Sequence, residues 1–267
     1  MPQKTLVTPG KGVKLADLDP RDASALESED LARARLAEDT AAIDVLQDRL
    51  YAEGKRALLV VLQGMDTSGK DGTIRGVFNQ AGPLGVNVTA FRAPSEEERA
   101  HDFLWRAHKV VPRRGMIGIF NRSHYEDVLV VKVRRLAAPG DIEKRYDQIN
   151  AFEKMLVENG TTILKFMLHI SKKEQGERLQ ERLDDPRKHW KFNPGDLDDR
   201  KLWGDYQAAY ETMLEQCSTD WAPWHVIPSD RKWVRNAMIA GIVRSTLEDM
   251  DPKYPKVTWD PKSFRIE

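Results

Sequence analysis

The sequence predicts an α/β fold, a three-layer sandwich built on a mostly parallel sheet. Three observations carry that reading. Short apolar runs rich in branched residues recur along the chain, a longer stretch of helical periodicity follows each, and helix-start signals fall between them. The runs are 57–62, 86–91, 116–120, 162–168 and 225–227. They are continuous rather than alternating, as strands buried on both faces should be. Ser95 with Glu98, Ser123 with Glu126 and Ser171 with Glu174 each fit a capping box, in which hydroxyl and carboxylate satisfy exposed helix amides reciprocally.

Before the first run, residues 17–53 carry eleven acidic and four basic side chains, with Leu31, Leu36, Ile43, Leu46 and Leu50 at spacings that fit a helix packed on the core. Residues 99–122 have the opposite bias, six basic against one acidic. The whole chain of 267 residues nevertheless balances 42 Lys and Arg against 42 Asp and Glu, which excludes a uniformly basic polyanion binder. One domain over 1–267 is expected, with an amino-terminal helical segment at 17–53 and a lid at 171–200. No apolar run approaches the ~20 residues that span a bilayer. The opening stretch lacks a signal-peptide core, and the lone Cys217 has no partner for an internal disulfide. A soluble cytoplasmic protein is the expectation, without nucleic acid or membrane as partner.

The first run leads into the strongest chemical signal. Gly64, four intervening residues, Gly69 and Lys70 reproduce the G-x-x-x-x-G-K spacing of a phosphate-binding loop, with a strand before and a helix after. In such a loop backbone amides wrap an anion and the lysine reaches the transferring phosphates. Thr67, Ser68, Gly69, Asp71 and Gly72 are the further candidate phosphate contacts. The position after the lysine, which normally carries the magnesium-ligating Ser or Thr, holds Asp71, with Thr73 two residues on. Asp66 lies inside the loop, where a carboxylate would repel polyphosphate unless a divalent cation or a proton lay between them. Asp66 is therefore a metal or catalytic candidate.

The third run ends in FNRSHYED. Open α/β sheets bind ligands at strand carboxyl ends, and many phosphate-loop enzymes place a metal-holding Asp there. Here the residue is Asn121, which can hydrogen-bond but adds no negative charge and is a candidate phosphate or nucleotide contact. The missing charge is expected from Asp127 or Glu126, the latter with an alternative duty as capping partner of Ser123. Arg122 is the anion ligand, and His124 an orienting or packed histidine.

Further along, Arg178 and Arg182 fall one turn apart on one helix face, and Arg187, Lys188 and Lys191 follow in an irregular stretch over 184–199, the best lid candidate. Closing such cations over phosphates would neutralise developing charge. Trp190 and Phe192 fit either base stacking or core packing. Trp203, Tyr206, Tyr210, Met213 and Cys217 recur at helical spacing and read as core. Arg113, Arg114, Lys132, Arg134 and Arg135 are candidates for a basic track along a long polyanion.

The segments GMDTSGKDGTIR, FNRSHYEDVLV, ISKKEQGERLQERLDDPRKHWKF and APWHVIPSDRKWVRN, in that order, resemble the polyphosphate kinase 2 family. The resemblance implies a thymidylate-kinase-like P-loop core with a helical lid, a homo-oligomer (dimer or tetramer), and magnesium, or manganese in its place, as cofactor. The implied activity is reversible transfer of the terminal phosphoryl group of inorganic polyphosphate to AMP and ADP, with GMP, GDP and other nucleotides as further acceptors. Position by position, Asp66 and Lys70 match the family's catalytic loop residues, and Arg122 and Arg182 match basic residues around the phosphates. Asn121 departs from subgroups with aspartate there; the NRSHYEDV form is similar to the subgroup that takes both AMP and ADP. The loop alone would equally support an ATP-dependent nucleoside or nucleotide kinase, or a phosphate-binding regulatory module without turnover.

Overall fold

A computed structural model of the chain describes residues 5–266; residues 1–4, where the stretch read for a targeting signal begins, and residue 267 lie outside the described residues. In chain order the elements are α1 (Glu29–Glu53), β1 (Ala57–Gln63), α2 (Lys70–Val77), β2 (Val86–Ala90), α3 (Glu96–Arg99), α4 (Trp105–His108), β3 (Ile117–Asn121), α5 (Val130–Val133), α6 (Pro139–Glu158), β4 (Thr161–His169), α7 (Lys172–Asp184), α8 (Gly195–Lys201), α9 (Trp203–Cys217), β5 (Trp224–Pro228) and α10 (Lys232–Met250). The five strands pair in the order β2-β3-β1-β4-β5, every neighbour parallel. All five predicted runs are strands of this one sheet.

β1 is buried along its whole length and shows why the sheet needs cover on both sides. Leu58, Val60 and Leu62 face a core shared with Ile43, Leu46 and Leu50 of α1 and Ile239, Val243 and Leu247 of α10. Leu59 and Val61 face a second core with Tyr146, Ile149 and Phe152 of α6 and Tyr206, Tyr210, Met213 and Cys217 of α9. Helices therefore lie on each face, which is the three-layer arrangement. Trp203 packs partly against the second core.

Three local expectations change. β2 is an edge strand with Asn87, Val88 and Ala90 exposed, because only β3 lies beside it. Leu31 is 56% exposed, since at 3.6 residues per turn it falls about 120° around α1 from Ile43. Of the capping boxes only Ser95 with Glu98 is complete. Ser171 caps the Glu174 amide, but Asp230 takes the Ser171 amide and Glu174 turns its carboxylate to Arg178. Ser123 caps the amide of Tyr125 at the start of a short 3-10 turn, His124–Asp127. The stretch 171–200, expected as a lid, forms α7, a 3-10 turn at Pro186–Lys191, and α8.

Candidate active site

The carboxyl ends of β1 and β3 open into a cavity of about 490 Å³, on whose wall nine basic side chains stand against three acidic ones. The phosphate loop forms its floor. Gly64 takes a φ of 148° and Gly69 one of 108°, and α2 starts at Lys70 as the spacing predicts. A Cβ at Gly69 would sit 1.8 Å from the Arg235 guanidinium, so only glycine lets that side chain lie on the loop. Lys70 is buried and donates to the carbonyls of Gly64 and Met65 at 2.7 and 3.2 Å. Burial and the nearby Arg122 cation push its pKa down to about 8. Thr67, Asp71 and Gly72 also line the cavity, whereas Ser68 is fully buried with its hydroxyl unpartnered among the described residues.

Arg122 leaves β3 with a φ of 60°, a left-handed conformation rare outside glycine, and that turn aims its guanidinium back at the loop. It pairs with Asp66 and, at 3.3 Å, with Glu126. Burial opposes its charge, but Glu126 and Asp66 outweigh burial and raise its pKa. Glu126 is thus the partner of Arg122 and not the capping residue of Ser123. Asn121, the last residue of β3, donates its amide to one carboxylate oxygen of Asp71 at 2.6 Å.

Asp127 is a correction. Its carboxylate accepts from Arg106 at 3.2 Å and Arg145 at 3.4 Å and lines a separate cavity of about 650 Å³. In the tight 3-10 turn consecutive side chains diverge, so Glu126 faces Arg122 while Asp127 faces α4 and α6. Burial raises the Asp127 pKa, with the two arginines opposing. Among the described residues no group of three or more His, Cys, Asp or Glu side chains forms a metal cluster. The cavity instead presents Asp66 and Asp71 to a space lined by cations, a donor set that suits a hard ion held mostly by phosphate oxygens and water.

The α7 arginines separate. Arg178 is buried and directs its guanidinium to the carbonyls of Thr67, Ser68, Ser229 and Asp230 and to Glu174, at 2.7–3.3 Å. Those five acceptors match its five N–H donors, so it braces the loop from behind although it also borders the cavity. Arg182 lines the cavity with donors to spare, holding the Lys191 carbonyl at 2.9 Å and Asp196 at 3.2 Å. Burial and the Asp66 charge push Asp196 up to about 6. Lys188 lines the cavity while paired with Glu181; Arg187 pairs with Asp185 at 3.1 Å, is largely exposed, and is not part of the cavity wall. Trp190 is 75% exposed, in neither core nor cavity. His124 is fully buried, 3.3 Å from Glu153, and is packed.

The expected basic track is not continuous. Arg113 and Arg114 precede the amino end of β3, the end away from the cavity, Lys132 lies on Tyr146, and Arg134 pairs with Asp199 of α8 at 2.7 Å. Three cations on the cavity wall, Arg92, Lys232 and Arg235, had no role assigned from sequence. Arg92 follows the end of β2 and Lys232 opens the helix after β5, so the strand-end rule applied to every strand would have found them, whereas Arg235 sits a turn into α10 and reaches the loop only through the fold. Burial and neighbouring Arg178 lower the Arg235 pKa to about 10.

A parallel sheet whose central strand feeds a phosphate loop, with a strand-end arginine beside it and the basic side chains of α7 across the cavity, defines a P-loop phosphotransferase. The description Polyphosphate kinase 2 matches residues 26–255, and the chain belongs to that family. It is 52% identical to the AMP/ADP-polyphosphate phosphotransferase of Meiothermus ruber over 99% of this chain and all of that one. It is 42% identical to the ADP-polyphosphate phosphotransferase of Rhodopseudomonas palustris, over 80% of this chain and 78% of the relative. The crystal structure of Polyphosphate Kinase 2 from Arthrobacter aurescens TC1 superimposes with a TM-score of 0.92 at 42% identity, covering 97% of this chain and 95% of that one.

Proposed function

We propose that the protein transfers the terminal phosphoryl group of inorganic polyphosphate reversibly to AMP and ADP. The observation that carries this reading is the cavity itself, where a phosphate loop and a basic lid face each other across one space lined by nine cations. Two anions must meet for such a transfer, and their repulsion is the main obstacle. A nucleotide phosphate is already an anionic nucleophile near neutral pH, so no strong general base is required. Lys70 exchanges its loop carbonyls for phosphate oxygens, and Arg122 remains charged beside Asp66 as charge builds on the transferring group. Arg182 closes the cavity from the lid side and helps align the two phosphates. Magnesium, or manganese in its place, supplies further charge neutralisation when bound, with Asp66 as a protein carboxylate facing it. The choice of both AMP and ADP as acceptors draws on the similarity to the Meiothermus ruber relative. The reading includes a homo-oligomer acting in the cytoplasm. No described helix is long and apolar enough to cross a membrane.

The deciding assay supplies purified protein with AMP and polyphosphate in the absence of ATP. Formation of ADP, then ATP, is expected. No ADP under these conditions, with turnover restored by ATP, would replace polyphosphate with ATP as donor. Lys70→Ala should lower the rate by roughly 10²–10³-fold with the fold retained by circular dichroism. An unchanged rate would remove the loop from the chemistry.

A further inference from the structure

The three acidic residues on the cavity wall have different partners. Asp66 is neutralised by Arg122 and Glu181 by Lys188, both as ion pairs. Asp71 is bonded to the neutral amide of Asn121, through Oδ1 at 2.6 Å, and makes no ion pair within 4.0 Å among the described residues. A neutral amide orients a carboxylate without cancelling its charge, and it leaves the second oxygen free to coordinate. Thr73, the other oxygen donor near this corner, is fully buried and does not reach the cavity.

In the usual phosphate loop a neutral hydroxyl after the lysine and a charged aspartate at the neighbouring strand end share the metal. Here the position after Lys70 holds the charge and the end of β3 holds the neutral group. The pair has exchanged chemistry across the same cleft while keeping one negative charge.

The geometry points to Asp71 as a carboxylate ligand of the divalent cation that accompanies the phosphates, with Asn121 as the positioning residue that fixes its rotamer. This assignment rests on the phosphoryl-transfer reading above. It also explains why aspartate would be costly at position 121 with Asp71 present: two carboxylates would meet at hydrogen-bond distance, and one would have to take up a proton or a second cation.

The test uses Mn²⁺ as a spin probe, titrated by electron paramagnetic resonance into the full-length protein saturated with tripolyphosphate. Asp71→Ala should weaken Mn²⁺ binding by about tenfold or more, and Asp71→Ser, which restores the usual hydroxyl, should recover part of that loss. Asn121→Ala should weaken Mn²⁺ several-fold, about the low end of an outer-shell effect. Wild-type Mn²⁺ affinity in Asp71→Ala and Asp71→Ser, with folding intact, would overturn the assignment. Wild-type protein that gives no transfer from polyphosphate would instead overturn the function on which it rests.

Discussion

Arg178 and Arg182 stand one turn apart on α7, share a residue type and a helix face, and do different work. Arg178, at the middle of the helix, is surrounded by main-chain carbonyls of the phosphate loop and of the turn after β5, and all its donors are engaged. Arg182 reaches the 3-10 turn and α8, holding the Lys191 carbonyl and the Asp196 carboxylate and bordering the cavity. The same side chain is a brace where carbonyls converge and a cavity-facing cation where the cavity begins. Helical spacing reports that two residues share a face; it does not report what that face meets.

The difference can be tested by removing each in turn. Arg178→Met should cost about 3 kcal/mol of stability, because it strands buried carbonyls and Glu174, and thermal or urea unfolding measures that loss directly. A loss of rate without loss of stability would reverse the assignment and make Arg178 a phosphate ligand. Arg182→Ala should reduce phosphoryl transfer by about tenfold or more while stability falls by about 1 kcal/mol, less than for Arg178, because one partly buried ion pair and one carbonyl bond are lost. Equal effects of both variants on stability would erase the distinction.

Proton linkage sharpens the same contrast from the loop side. Lys70 has its pKa lowered from 10.5 to about 8 in the folded chain, so between those values the unfolded chain binds the extra proton. Its burial therefore opposes folding most below pH about 8, and that cost is relieved as pH rises towards 10.5. A bound polyanion favours the charged lysine. Calorimetry of tripolyphosphate binding near pH 8, in buffers of different ionisation enthalpy, should show proton uptake, and affinity should fall as pH rises further. Binding with no proton uptake would mean that Lys70 stays on its carbonyls. The smallest effect is expected at Arg187→Ala, where an exposed pair with Asp185 is lost and both rate and stability should stay near wild type, within about 0.5 kcal/mol.

Much of this architecture was readable from contiguous residues. The buried runs, the phosphate-loop spacing and the single complete capping box at Ser95 depend on neighbours a few positions apart, so their physics is local. The same holds for Lys70, whose place at the start of α2 follows from the glycine before it. Readings that required a partner from elsewhere fared unevenly. Asp127 was expected beside the metal and is held instead by Arg106 and Arg145, because a 3-10 turn sends it to the opposite side from Glu126. Arg187 was grouped with the lid cations and points to solvent.

By itself, then, the sequence determined the strand and helix succession, the phosphate-loop spacing between β1 and α2, and the cancellation of an acidic amino-terminal helix by a basic stretch within a neutral total. Tertiary structure alone decided how the charged and polar groups pair: Asp66 with Arg122 across 56 positions, Asp71 with Asn121 across 50, and Arg178 with the Thr67 carbonyl across 111. The physical reason is range. Backbone periodicity and turn chemistry are fixed over a few residues, whereas a carboxylate or guanidinium takes whichever opposite group the folded sheet brings within hydrogen-bond distance.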